Sequence, residues 1–231
     1  MGTLLTPVAF DIETTGFAVD ARVTTVGIGL PLGCRVFLEV GERRVDPEPL
    51  AENLEDRFDM CVNLSTHAGE TALLSAVGTF LEETVAPRDY LVMAYNGEHW
   101  SGGFDLPFLR TRYARHNQEW PFDDVPYADL MPLIADRFNT TVDDTECLDL
   151  EGVYDALIDG SLSAADPFET SEQAVDAHDT GEFATLLAHN IADVQRTRAL
   201  AKLAQRYCSR GDFDVKSLTP ATRDPTLTRR G

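Results

Sequence analysis

Lysine is nearly absent from this chain of 231 residues; only Lys202 and Lys216 occur. Against 19 lysines and arginines stand 39 aspartates and glutamates, a formal net charge of −20. At low salt such a surface repels nucleic acid, so long-range attraction cannot be the basis of binding to a polyanion. Cysteine is scarce as well. Cys34, Cys61, Cys147 and Cys208 are far apart and form no CxxC pair, which argues against a zinc ribbon or a disulfide framework and fits a reduced setting. The longest charge-free apolar stretch near the start, Val23 to Cys34, is too short to span a bilayer. No charged n-region followed by an apolar core marks a secretory signal. A cytoplasmic protein without a membrane partner is the expectation. Also missing are GxxxxGK[ST] and GxSxG, which argues against ATP-driven chemistry and against a serine or cysteine hydrolase.

What is there begins with enough apolar sequence for one sizeable core: 43% hydrophobic and 9% aromatic residues. The acidic excess resembles the surface of proteins from salt-loving organisms, a haloarchaeal-like composition. In molar salt the Debye length falls to about 3 Å, so long-range repulsion of a polyanion mostly disappears. Net charge therefore does not exclude a nucleic-acid substrate. It shifts the work of binding to short-range contacts and metal ions.

Val8 to Thr15, Arg22 to Leu30 and Cys34 to Val40 read as three strands of an antiparallel meander. Asp46 to Asp59 is polar and carries no clear pattern. Gly69 to Val85 has helical spacing, and "DYLVMAYN" is a buried strand ending at Asn96. Helices are expected at Phe104 to His116, Met131 to Phe138 and Leu148 to Leu157. Thr170 with Gln173, and Asp179 with Glu182, have capping-box spacing, the second opening a long helix over Gly181 to Tyr207. Strands first and then mixed elements predict a single α/β domain over residues 1–208, followed by a polar, flexible tail over 209–231.

The chemistry-bearing signal starts in "VAFDIETTG". Residues i and i+2 of a strand share a face, so Asp11 and Glu13 point the same way. Two such charges repel and raise each other's pKa unless a cation lies between them. A strand end exposed to water is the plain alternative. In the long helix Asp193 falls on the line of Leu186, Leu200 and Ala204, with His189 one turn earlier. A carboxylate on an apolar line needs a partner or a metal; Arg196 is one candidate partner. Asp105 opens a helix after a glycine-rich turn, where an acid also serves simply as a cap. Arg110, Arg112 and Arg115 on that helix form a local basic cluster. Four acids in the order Asp11, Glu13, Asp105 and Asp193 are hard oxygen ligands of the kind that suits Mg²⁺ or Mn²⁺. Two such ions can clamp the attacking and leaving oxygens of a phosphodiester, with His189 as the proton acceptor.

This order resembles the DEDD family of 3′–5′ exonucleases, which have a ribonuclease-H-like fold. "FDIETTG" is similar to the first motif of the family. "AYNGEHWSGGFDLPFLRTR" is similar to the second, in the version found in proofreading domains of family-B DNA polymerases, and "LLAHNIADVQRTRAL" is similar to the third. The resemblance runs from about Val8 to Leu200. It implies a central mixed sheet flanked by helices, with two divalent cations. Asp11 would bridge both ions, Glu13 and Asp193 would complete the first site, and Asp105 would act at the second. It also implies that Thr14, Phe17, Asn96, Phe104 and Arg110 contact substrate. Phe17 is either a stacking platform for a terminal base or a core residue. Two departures stand out. The family places tyrosine four residues before the last aspartate or histidine five before it, whereas His189 is four before Asp193; it acts as general base, orients water, or only hydrogen-bonds to a metal ligand in a structural role. Asn96 precedes Asp105 by a longer gap than usual, and "GEHWSGG", with His99 and Trp100, looks like an inserted loop.

The expected activity is metal-dependent hydrolysis from the 3′ end of DNA or RNA, with a protein partner in a repair or replication complex as a further expectation. The alternatives are a catalytically weak module that binds nucleic acid or protein, and a structure-specific or RNA-directed nuclease on the same scaffold.

Overall fold

The strand that carries Asp11 and Glu13 runs through the middle of a sheet. In the computed structural model, which describes residues 5–98, 104–158, 161–168 and 171–222, this strand is β1 (Thr6–Thr14). The chain continues through β2 (Val23–Leu30), β3 (Gly33–Glu39), α1 (Pro47–Phe58), β4 (Cys61–His67), α2 (Glu70–Phe80) and β5 (Tyr90–Ala94). Then come α3 (Asp105–Arg115), β6 (Pro126–Asp129), α4 (Leu130–Arg137), the two-residue strands β7 (Thr141–Val142) and β8 (Thr145–Glu146), and α5 (Leu150–Ile158). The last elements are α6 (Ser171–Thr180), α7 (Phe183–Tyr207) and β9 (Lys216–Ser217).

The main sheet has the order β4-β3-β2-β1-β5-β6-β9. β1, β2 and β3 form the expected antiparallel meander, whereas β5 and β6 run parallel to β1. The architecture is thus α/β with a mixed central sheet and helices on both faces. Alternation along β1 decides which helices it meets. Val8, Phe10 and Ile12 pack with Leu73, Leu74 and Val77 of α2 and with Leu106 and Leu109 of α3. Ala9, on the opposite face, packs with Leu187, Ile191 and Val194 of α7. Both faces of β1 are covered, so its acids emerge where strand and helix α7 meet rather than into open water.

Several expectations are corrected. The unassigned polar stretch is α1, started by Pro47 and capped by the Asp46 carboxylate, which accepts the Glu48 N–H at 3.1 Å. β4 and β6 were not predicted; β6 has only four residues, and β4 has no clean alternation of burial. The helix expected to Val85 winds its last five residues, Leu81–Val85, as a π-helix. The Asp179–Glu182 capping box does not form. Asp179 lies inside α6, Gly181 turns the chain at φ 84°, and Glu182 makes no side-chain cap bond to α7. Thr170 of the other expected box, and His99 and Trp100, lie outside the described residues.

Part of the stretch expected as a tail from residue 209 carries secondary structure. Ser209 caps a 3₁₀ turn at Arg210–Asp212, and β9 pairs antiparallel with β6. Leu218 is buried, and its carbonyl accepts the Trp120 indole N–H at 3.0 Å. Leu218, the pairing of β9 with β6, and the Lys216 Nζ bond to Glu98 at 2.7 Å hold this polar stretch on the sheet.

Candidate active site

Three elements meet at the acids: the end of β1, the start of α3 and the middle of α7. The approach of α7 is set by a glycine. Gly27 of β2 is the register partner of Asp11, and a Cβ there would stand 2.2 Å from Asn190 Oδ1 and 2.8 Å from Val194 Cγ2. Without that Cβ, α7 lies close on the sheet, and Asn190 Nδ2 donates to Asp11 Oδ2 at 2.7 Å. Glu13 follows on the same face, next to an irregularity in the β1–β2 ladder between Glu13 and Thr14.

Asp105 is buried at the first position of α3, but it does not cap the helix; the N-cap is Phe104, with no side-chain cap bond. The turn before it is held by a carboxylate that sequence reading missed. Asp129, at the end of β6, accepts the N–H groups of Asn96 at 2.9 Å, Glu98 at 3.1 Å and Met131 at 3.1 Å. In return the Asn96 and Gly97 carbonyls accept the N–H groups of Phe104 and Leu106 at 3.1 and 2.9 Å. Asn96 enters this turn with its backbone N–H and carbonyl both bonded, at φ 60°. A Cβ at Gly97 would meet Asp105 Oδ2 at 3.2 Å, so this turn lies against the acid.

On α7, His189 and Asp193 share a face at one turn's spacing, with Nε2 3.8 Å from Asp193 Oδ2 and 4.0 Å from Glu13 Oε1. Asp166 is the second missed acid. Its Oδ1 accepts from His189 Nδ1 at 2.8 Å, and its Oδ2 from Arg196 Nη1 at 2.5 Å. Arg196 Nη1 also donates to Asp193 Oδ1 at 2.7 Å. The ion pair suspected between Asp193 and Arg196 is thus present, alongside the carboxylate cluster.

The charges explain the titration of the group. Burial, and then the charges of Glu13, Asp105 and Asp193, push Asp11 well above the usual carboxylate range. Asp105 is raised by burial and then by Glu13, Asp129 and Asp193. Burial first, and Asp193 further down, bring Glu13 to about 7 against the opposing pull of His189. Asp193 is raised by burial despite His189 and Arg196. For His189 burial works downward, but the Asp166 hydrogen bond and the charges of Glu13 and Asp193 outweigh it and lift the imidazole to about 9. Burial works upward on Asp166, yet its bonds to His189 and Arg196 hold it below its ordinary value.

Such a set of mutually repelling oxygen donors is what a hard divalent cation relieves, so Asp11, Glu13, Asp105 and Asp193 fit Mg²⁺ or Mn²⁺ by donor type. Among the described residues, the group whose donor atoms all lie within 4.8 Å of one another is Asp166, His189 and Asp193. That trio could also hold a metal ion, but the Arg196 guanidinium bonded to both of its carboxylates is already a cation in place.

The expected substrate residues divide. Phe17 is not a core residue: it is 68% exposed, edge-on to the Phe104 ring at 5.1 Å, and Phe104 in turn lies 4.7 Å from Phe108. The middle ring of this row belongs to the residue that precedes Asp105 in the chain. Thr14 turns its hydroxyl into its own turn, donating to the Gly16 carbonyl at 2.9 Å. Arg110 is exposed with its guanidinium 5.4 Å from the Trp120 ring centre. The basic cluster is broken by Arg112, which is buried and bonded to Glu70 at 2.7 and 2.5 Å. Of the missed residues, Asn190 sits three before Asp193 and was within reach of the same helical-face reasoning. Asp166 shows only the Asp-Pro-Phe signature of a local turn, and its partners lie 23 and 30 residues away. No protein-family profile matches the chain, and no curated protein is significantly similar to it.

Proposed function

We propose that this protein is a metal-dependent 3′–5′ exonuclease with a ribonuclease-H-like fold, acting on the 3′ end of DNA or RNA. The observation that carries the reading is the electrostatic convergence of Asp11, Glu13, Asp105 and Asp193 from β1, α3 and α7. The meander-first mixed sheet is compatible with the fold.

In this reading Asp11, Glu13, Asp105 and Asp193 are the residues that would hold the divalent cations. When bound, such ions lower the pKa of the attacking water and stabilise the charge on the leaving oxygen. Phe17 and Phe104 offer an aromatic surface to the terminal base, a contact that acts at short range and is not lost in salt. His189 keeps Nε2 beside Glu13 and Asp193, where it takes a proton from water or orients it. The Asp166 hydrogen bond does most to hold it protonated, and the charges of Glu13 and Asp193, acids assigned to the cations, add to that; neutralising those two would lower the imidazole from its raised value without removing the Asp166 bond. The acidic surface suits work at high salt, where a polyanion can approach.

One observation favours a weakly catalytic module that binds nucleic acid or protein: Arg196 occupies an oxygen of Asp193. The Asp11→Ala and Asp105→Ala variants separate the readings. Loss of cleavage with unchanged circular dichroism supports the nuclease. Wild-type protein that retains nucleic acid in Mg²⁺ and Mn²⁺ without cutting it overturns the nuclease in favour of the module.

A further inference from the structure

We propose that Asp166 is a positioning residue for His189, fixing the ring so that Nε2 faces the space between Glu13 and Asp193. The catalytic half of this role rests on the nuclease reading above; the hydrogen bond itself does not.

The segment that follows the 3₁₀ turn Ser161–Ala164 is built to grip the ring. The Asp166 carboxylate accepts the Phe168 N–H at 3.1 Å, closing a local turn across Pro167. That turn brings the Phe168 ring to 5.2 Å from the imidazole. The histidine is thus held by a hydrogen bond at Nδ1 and by a tilted aromatic ring at 56° to its plane. Asp166 is itself fixed. Its side chain is 3% exposed, and its second oxygen accepts from Arg196, which is 1% exposed and anchored on the same helix as His189. A carboxylate with both oxygens engaged has no freedom to rotate away from Nδ1.

The arrangement has a chemical consequence. An imidazole whose Nδ1–H is donated to a carboxylate presents Nε2 as its working atom, and the partner at Nδ1 fixes which nitrogen carries the proton. Nε2 is the nitrogen that lies 4.0 Å from Glu13 and 3.8 Å from Asp193. Asp166 also pairs with Arg196, which holds Asp193. One buried carboxylate therefore sets the orientation of the histidine and, through Arg196, of an acid in the cluster. A cation held by Asp166, His189 and Asp193 is the competing use of the same atoms, and it differs in requiring Arg196 to yield.

The experiment is ¹⁵N NMR of protein labelled in its histidine rings, first in EDTA and then with Mg²⁺, with His189→Gln identifying the signals. The expected spectrum in EDTA shows a slowly exchanging proton on His189 Nδ1, which Asp166→Asn shifts or releases to fast exchange. In cleavage assays Asp166→Asn is expected to lower kcat by about 10- to 100-fold with KM nearly unchanged. Asp166→Glu, which keeps a carboxylate, is expected to recover part of that loss. A wild-type ring protonated only on Nε2, or an Asp166→Asn spectrum identical to wild type, overturns the proposal. So does displacement of Arg196 from Asp166 by Mg²⁺, which would make the trio a metal site. If Asp166→Asn does not fold, the wild-type spectrum alone decides. A fixed Nδ1 proton in a protein that cuts nothing would leave the positioning contact standing and remove the nuclease.

Discussion

Asn190 of α7 bonds to Asp11 of β1 at 2.7 Å, across a gap that stays open because residue 27 of the neighbouring strand has no side chain. The contact joins the two elements that supply most of the acids. It also makes the first prediction. Gly27→Ala forces its methyl against Asn190 and Val194, and overpacking of this kind costs about 1–3 kcal/mol. Urea denaturation should show that loss. Cleavage should fall more than stability alone explains, because α7 carries Asp193 and His189 outward with it. A neutral effect on both would contradict the tight packing of α7 on β2.

The metal-free protein should lose stability as pH rises. Glu13 titrates at about 7 rather than its ordinary 4.5, so the folded state binds this proton more tightly than the unfolded state. Stability from this group is fully present below the unfolded value and is lost as pH rises through the folded one. In EDTA the melting temperature should therefore be lower at about pH 8 than at about pH 5. Glu13→Gln should reduce the difference, and Mg²⁺ or Mn²⁺ should reverse it in wild type. Melting curves insensitive to both changes would mean that the acids do not repel one another as described.

Glu70 makes the opposite prediction. It accepts from Arg112 at 2.7 and 2.5 Å and from the Val23 N–H at 2.8 Å, with both charged side chains almost fully buried. Burial pushes its carboxyl up, but these bonds hold it below 4.5. Its contribution is present above the unfolded pKa and is lost as pH falls through the folded one. Glu70→Gln leaves Arg112 buried without its charge partner, which costs about 3–5 kcal/mol. Denaturant titrations at neutral pH check the magnitude, and acid titrations check the sign.

Phe17 should matter for substrate and not for folding. It is 68% exposed, and exposed substitutions of this kind stay within about 0.5 kcal/mol of wild-type stability. Stacking of a base on an aromatic ring is worth about 1–3 kcal/mol, so Phe17→Ala should weaken single-strand binding by that amount in high salt. Equal binding by the variant would remove Phe17 from the substrate path.

How far the sequence could be read follows from the range of each interaction. The meander and the acids of β1 were legible because strand alternation is local and repeats every second residue. His189 and Asp193 were legible because helical spacing puts them on one face. Asp129 and Asp166 were not, since each acts on groups that are near it only after the sheet and α7 are assembled. Arg112 looked like part of a solvated basic face because its partner Glu70 lies 42 residues earlier in the chain. The short strand β9 and the buried Leu218 beside it were not legible, because composition averages over residues and conceals a single apolar side chain.

The most direct test of the central claim is cleavage, in high salt, of 3′- and 5′-labelled single-stranded DNA and RNA, with Mg²⁺ or Mn²⁺ against EDTA and with Asp11→Ala as control. The account predicts a metal-dependent ladder that shortens from the 3′ end and vanishes in the variant. Cleavage that persists in Asp11→Ala or in EDTA, or no cleavage of any substrate by folded wild-type protein, would contradict it.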